Sequence, residues 1–378
     1  VAETEWEAPK GYKISSKAEL TELIGDKKII SVVDSIDYLS DDLFELYHPE
    51  LKDDGPSRVM FHEKISEQGL SYGLWFHYPW NNSLVRFPDN DDYYNLRTFR
   101  NRNLITKNEQ NILRTKKIAA FGLSVGSNII DNTTQSGIGN NYLLFDFDRL
   151  SPTNLNRIHA SMGYVGLFKT TVAGRKMADL DPYIKQQHFI NGYNRETDDI
   201  LRAEKPDIII EEVDNLDVKA RLRIIASELN IPLVMVGDAG DKIVLDIERH
   251  DKEDVKHFNG KLSQKEINML LGGKISAKVQ ESTLIKLLGI KNLSPRLIES
   301  GMVRGTELIG FPQLGTTASI GGAMACVAIR DILLNRKIES GVRAHDIRKT
   351  IKSGRPTTFT EDIDTIKRFI KYRNGSDK

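Results

Sequence analysis

From about residue 96 the chain alternates short, nearly unbroken apolar runs with stretches whose apolar positions recur at helical spacing. The runs "KKIAAFG" (116–122), "NYLLFDFD" (141–148), a segment around "QQHFINGY", "PDIIIEEVDN" (206–215) and "PLVMVGDAG" (232–240) predict strands, and the intervening stretches predict helices over about 124–136, 168–180 and 217–229. Strands that are apolar on both faces must be covered on both faces. Their alternation with helices predicts an α/β fold, doubly wound and Rossmann-like, around a mostly parallel sheet. Beyond 240, "DKIVLDIERHD" alternates like an antiparallel edge strand, and residues 252–335 read as a mostly helical C-terminal region.

The first 95 residues have a different texture. Short bursts such as "KIISVVDSIDYL", "DLFELYHPEL" and "GLSYGLWFHYPWNNSLVRF" are broken by Asp, Gly and Pro, which predicts a small N-terminal α+β domain. Trp75, Phe76, His77, Tyr78 and Trp80 stand close together there and read as that domain's core, with a partner-binding face as the other reading. The expected organisation is therefore residues 1–95, a nucleotide-binding domain over 96–350, and a charged C-terminal helix and tail over 351–378 that contains "DIDTIKRFIKYRNGSDK".

Composition narrows the function classes. The 378 residues carry 53 basic and 53 acidic side chains, so no global field favours nucleic acid or an anionic membrane. No apolar run in the sequence approaches the roughly 20 residues of a membrane span, and "VAETEWEAPKGYK" is polar, so the expectation is a soluble cytoplasmic protein with no membrane partner. One cysteine, Cys326, excludes an intrachain disulfide and a cysteine-rich zinc site. Its apolar surroundings, "TTASIGGAMACVAIRDILL", suit an inert core thiol.

The chemistry concentrates after the first predicted strand of the second domain. "GLSVGS" follows that strand and opens a helix: Gly122 permits the sharp turn, Gly126 lets a phosphate approach the backbone, and the helix terminus offers free N–H groups. Ser124 and Ser127 stand where such loops often carry glycine, so the same stretch also reads as an ordinary strand–helix turn. Asp146 and Asp148, at the tip of the next strand, are placed to accept hydrogen bonds from ribose hydroxyls. Asn154, Asn156, Arg157 and Lys169 follow within a short distance. A dinucleotide needs little positive charge there, whereas a triphosphate attacked at its α-phosphorus needs cations to offset the developing charge and hold the pyrophosphate. Asp214 ends a buried strand at the carboxyl edge and reads as a magnesium ligand facing that triphosphate. Its other reading is a helix N-cap, a place that Asp217 would fill equally well.

The motifs "RTFRN", "GLSVGS", "DFDRLSPTNLNR", "VGLFK" and "VDNLDVKAR", in that order, resemble the ThiF/MoeB/HesA adenylyltransferases, relatives of the ubiquitin-activating enzymes. The likeness runs from about Arg97 to Gly240, with a weaker echo over 317–334. It implies ATP and Mg²⁺ as cofactors, adenylation of a substrate carboxylate with release of pyrophosphate, Asp146 on the ribose, Asn154, Arg157 and Lys169 on the triphosphate, and Asp214 acting through the metal. It also implies a homodimer in which an arginine ahead of the first strand reaches the partner's phosphates; Arg100 matches it, with Arg97 and Arg102 as near alternatives.

The candidate carboxylates are the C-terminal glycine of a ubiquitin-like or sulfur-carrier protein, a carboxyl group in a precursor peptide, and a carboxylate on a modified tRNA base, the last disfavoured by the neutral net charge; by analogy, residues 1–95 would grip a peptide. Many relatives have two CxxC pairs and a thioester cysteine. With Cys326 as the single thiol, the chain departs from both, so no thioester relay is expected. Two other readings share the glycine turn: a nicotinamide-dependent oxidoreductase, which leaves Arg157, Lys169 and Asp214 without a task, and a non-catalytic subunit of an activating complex.

Overall fold

The computed structural model describes residues 6–273, 275–351, 364, 366–368 and 370–371. The expected C-terminal tail helix lies largely outside the described residues. The chain forms two compact units: residues 1–115 with 134–140 and 174–186, and residues 116–133 with 141–173 and 187–378.

In the first unit, strands β1 (Lys10–Tyr12), β2 (Ser31–Asp34), β3 (Leu74–Tyr78) and β4 (Ser83–Phe87) form a sheet of order β1-β3-β4-β2. The aromatic cluster is its core, with Trp75, Phe76, His77 and Tyr78 all buried. Phe76 packs edge-on against Phe87 and Tyr183. The texture of the sequence puts the boundary near 95, but this unit runs on to Thr115 because buried polar contacts tie the next residues back to it. Tyr94 Oη donates to the carbonyl of Gly137 at 2.7 Å, and Arg97 pairs with buried Asp181 at 2.8 Å.

The second unit is built on β5 (Lys117–Phe121), β6 (Asn141–Phe145), β7 (Lys185–Phe189), β8 (Ile208–Glu211), β9 (Leu233–Asp238), β10 (Lys242–Glu248) and β11 (Gly341–Asp346), in the order β11-β10-β9-β8-β5-β6-β7. The pairs β5–β6, β5–β8 and β8–β9 are parallel. Ile118 to Phe121 and Ile208 to Ile210 are fully buried, as the unbroken apolar runs require. At the carboxyl edge Phe121, Phe145 and Phe189 stack in a row, each pair of ring centroids 4.2 Å apart. Chain order reverses at β5, which lies between β6 and β8, so the crevice above these strand ends is a topological switch point.

Two expectations change here. β10 is antiparallel to β9 but is no edge, since β11 covers it over the register Lys242↔Asp346 to Ile247↔Gly341. "GVRAHD" escaped notice because it is largely polar and no better than half-buried, with Val342 its contribution to an apolar cluster around Val244. The helix Gly315–Leu333 is long and apolar enough to cross a bilayer, contrary to the sequence-based expectation, yet over half of it is buried and it packs on β9 and β10. Cys326 lies in it, buried. Gly321 and Gly322 admit this packing, for a Cβ on the first would fall 2.7 Å from a Val236 methyl and on the second 2.7 Å from the backbone of Asn128.

The alternation in "KIVLDIE" places Asp246 and Glu248 on one face of β10, the face that would be solvated on an edge strand. Both are instead buried, and they meet Arg223 of the helix Leu216–Leu229, which has no solvent exposure. The guanidinium lies 2.6 Å from Glu211 at the end of β8, 2.6 Å from Glu248 and 4.0 Å from Asp246, while Lys219 holds the other oxygen of Glu211 at 2.8 Å. The surrounding carboxylates hold the guanidinium firmly protonated. Removing one partner of such a cluster strands buried charge, so Arg223→Met is expected to lower the free energy of unfolding by about 3–5 kcal/mol, measured by denaturant titration. A loss below about 1 kcal/mol would contradict the cluster's role.

Candidate functional site

The turn after β5 is forced by packing. Gly122 has φ +83, and a Cβ there would sit 2.3 Å from the carbonyl oxygen of Glu212 in the turn after β8. That close approach brings Ser124, ahead of the helix Val125–Gln135, beside the end of β8. Asp146 fastens the same turn to β6: one carboxylate oxygen accepts the N–H of Leu123 at 2.6 Å, the other that of Asp148 at 2.7 Å. Burial pushes the Asp146 carboxyl above the usual range, opposed chiefly by the charge of Lys169.

Ser124, Asp148, Asn154, Arg157, Lys169 and Asp214 line one cavity of about 330 Å³, near the lower end of the roughly 300–1,000 Å³ common for ligand sites. Lys169 opens the helix Lys169–Leu180; its Nζ lies 2.7 Å from Asp148 and is almost fully buried. Arg157 donates from Nε to Ser124 Oγ at 2.9 Å and from a terminal nitrogen to Asn156 Oδ1 at 3.0 Å. Burial lowers its proton affinity, against the attraction of Asp214 and Asp238.

The remaining candidates are placed differently. Gly122, Gly126, Asp146 and Asn156 fall outside the cavity lining. At Gly126 a Cβ would come 3.4 Å from the Glu212 side chain, an ordinary contact, so packing alone does not require glycine there. Asn156 donates to the carbonyl of Gln313 at 2.8 Å, and Asn154, which does line the cavity, accepts the Ser151 N–H at 3.1 Å. The cap of the helix Leu216–Leu229 is neither Asp214 nor Asp217 but Asn215, whose Oδ1 accepts from Asp217 N at 2.9 Å; Asp217 pairs with Arg221. Asp214 is thereby left exposed at the cavity. Arg100 belongs to the other unit, on the short 3₁₀ turn Phe99–Asn101, and is exposed. Of its alternatives, Arg97 is committed to Asp181 and Arg102 donates to the Leu46 carbonyl.

Sequence reasoning missed four charged lining residues, Glu212, Lys219, Asp238 and Glu281. Asp238 had a signal, since it closes "PLVMVGD" at the carboxyl edge just as Asp214 follows the run before it. Lys219 had none beyond its helical position. Asp238 accepts from Gly240 N at 3.1 Å and from Leu314 N at 3.2 Å, which ties the strand end to the segment entering the helix Gly315–Leu333. Gly315 itself is required, because a Cβ would lie 2.0 Å from the carbonyl oxygen of Asn156.

A magnesium ion fits the donor set in a restricted sense. Among the described residues no cluster of three His, Cys, Asp or Glu side chains could hold a metal. One exposed carboxylate beside a phosphate-binding turn is, however, the arrangement in which this ion is held largely by phosphate and water oxygens.

Burial raises the Asp238 carboxyl to about 6, from 3.8 for a free aspartate. A folded-state pKa above the unfolded one contributes stability that is present below the unfolded value and lost as pH rises through the folded value. Asp238→Asn cannot ionise, so its melting temperature relative to the native protein is expected to rise between pH 4 and pH 7, the window set by 3.8 and about 6. Parallel melting curves across that window would show that the carboxyl is not perturbed.

Residues 98–351 match the model of the ThiF family. The chain is 32% identical over 268 residues to a Mycobacterium tuberculosis (strain CDC 1551 / Oshkosh) relative named "Uncharacterized protein MT1398", covering 71% of this chain and 37% of the relative. Ubiquitin-like modifier-activating enzyme 5 of Aedes aegypti is 27% identical over 157 residues, 38% of either chain. The chain thus spans somewhat over a third of the length of these curated relatives. Among solved structures, PaaA is similar over 80% of this chain and 95% of its own, at 17% identity and a TM-score of 0.49.

Proposed function

The chain belongs to the ThiF family, and on that premise we propose that it activates a carboxylate with ATP. An oxygen of the substrate carboxylate attacks the α-phosphorus, the bond from that phosphorus to the bridging oxygen breaks, and an acyl-adenylate and pyrophosphate result. The observation that carries this reading is the pair of cations, Arg157 and Lys169, in one cavity with Ser124 and Asp214 at the switch point of the sheet. A buried lysine paired with Asp148 and a half-buried arginine held by Ser124 and Asn156 are poised to meet a polyanion, since phosphate oxygens can replace the carboxylate, hydroxyl and amide oxygens with little change in geometry. Asp146 and Asp148 lie on the β6 side, where a ribose would sit, and magnesium at Asp214 would offset phosphate charge. Alignment and preorganised charge then supply the catalysis, so no protein nucleophile is required. The buried Cys326 has no part in the proposal.

The substrate proposed is a protein or peptide carboxyl group, and the assembly a homodimer in which Arg100 completes the partner's site. Support for Arg100 is its exposure, where Arg97 and Arg102 are already engaged.

Exchange of labelled pyrophosphate into ATP, measured with the native substrate, tests the chemistry. Arg157→Ala and Lys169→Ala are each expected to reduce it on the order of 10²-fold or more without loss of fold, the scale for removing a preorganised charge contact. Near-normal exchange in both would place the triphosphate elsewhere. The assembly has its own test: mixing Arg100→Ala with Asp214→Ala subunits is expected to restore activity, because some heterodimers then hold one intact site. Free subunit exchange with no recovery would show that Arg100 does not act in trans.

A further inference from the structure

The phosphate-side charges occupy only one end of the cavity. Its other end is mostly apolar: Leu284, Ile285 and Leu288 come from the helix Ala277–Leu288, which also brings Glu281 to the lining, Leu297 and Ile298 from the helix Pro295–Met302, and Phe311 from the loop before Gly315. The floor between the two ends is β9, where Gly237 leaves room for a Leu288 methyl that would lie 2.3 Å from a Cβ. Asp238 braces the loop wall by accepting the Leu314 N–H at 3.2 Å. None of these apolar residues belongs to the motifs that carry the family resemblance.

Sheet order decides which reactant this end receives. With the order β9-β8-β5-β6, Asp146 and Asp148 mark the β6 side for the nucleoside, Lys169 pairs with Asp148 there, Arg157 reaches across to Ser124 after β5, and the apolar walls rise over β9 and the segment after β10. A triphosphate held by Arg157 and Lys169 then lies between its own nucleoside and the apolar end, which is where the attacking carboxylate must enter. A substrate ending in glycine would leave those walls facing water. A large aliphatic or aromatic group beside the carboxyl would cover them.

We infer, on the basis of the adenylation reading above, that this end is the subsite for the group next to the reacting carboxylate, and that the substrate class is a carboxylate bearing a bulky apolar side chain. Discrimination by such a pocket is on the order of 10–200-fold for a methylene-sized difference, so leucine against glycine reaches at least tenfold.

The test is calorimetric titration of N-acetylglycine, N-acetyl-leucine and N-acetylphenylalanine into the protein saturated with magnesium and the non-hydrolysable analogue AMPCPP. The leucine and phenylalanine compounds are expected to bind at least tenfold more tightly than the glycine compound. That gap is expected to collapse in Ile285→Gln and in Leu284→Gln, each checked for a cooperative thermal transition. Equal affinities, absence of binding by all three, or a gap indifferent to both substitutions would overturn the assignment. So would competition between N-acetylphenylalanine and AMPCPP, which would give the apolar end to the base. Failure of AMPCPP itself to bind, or binding unaffected by Arg157→Ala, would instead overturn the adenylation reading.

Discussion

A guanidinium with no access to water has to be enclosed by carboxylates, and Arg223 imposes that condition on the strands β8 and β10 of the larger sheet. It draws together Glu211 from the end of β8 and Glu248 and Asp246 from β10, strands that are not neighbours in the sheet. Glu211 also accepts the N–H of Val213 at 3.1 Å, so the cluster sets the turn that carries Glu212 and Asp214 to the cavity. Replacing such a cluster with apolar residues is often neutral in stability. What apolar residues would not supply is the directional link from β10, through Arg223 and Glu211, to the turn bearing Asp214.

Above that foundation each wall of the cavity is held by a short polar contact. Asp146 joins the β5 turn to β6, Asn156 and Asp238 anchor the segment before the helix Gly315–Leu333, and Asn128 donates to the Arg157 carbonyl at 2.9 Å. The residues facing the cavity, by contrast, are cations satisfied by carboxylates or hydroxyls that a polyanion can replace. Rigid walls and exchangeable ion pairs are the combination a site needs if little reorganisation is to accompany binding.

Most of this was legible in the sequence where physics acts locally. Unbroken apolar runs marked the buried strands of the sheet, and the cluster of acid, amide and cation after β6 contains Asp148, Asn154, Arg157 and Lys169, which line one cavity. What stayed hidden depends on tertiary partners. "GVRAHD" joins the sheet through main-chain bonds to β10 and the single apolar contact of Val342. Asp246 and Glu248 look like a solvated face until Arg223, more than twenty positions away, is brought against them. The hydrogen bond from Asn156 to Gln313 joins residues 157 positions apart, which no local pattern announces. The apolar half of the cavity comes from a helical segment whose own pattern shows only that it has a buried side.

The central claim is that the ion pairs of the cavity hold the places of a triphosphate. The most direct measurement is a crystal structure of the protein with magnesium and AMPCPP. The account predicts that Lys169 Nζ, now 2.7 Å from Asp148, turns to a phosphate oxygen, that Arg157 contacts the same triphosphate, and that the α-phosphorus faces the apolar end over β9. A nucleotide bound with Lys169 still paired to Asp148 and its phosphates away from Arg157 would contradict it.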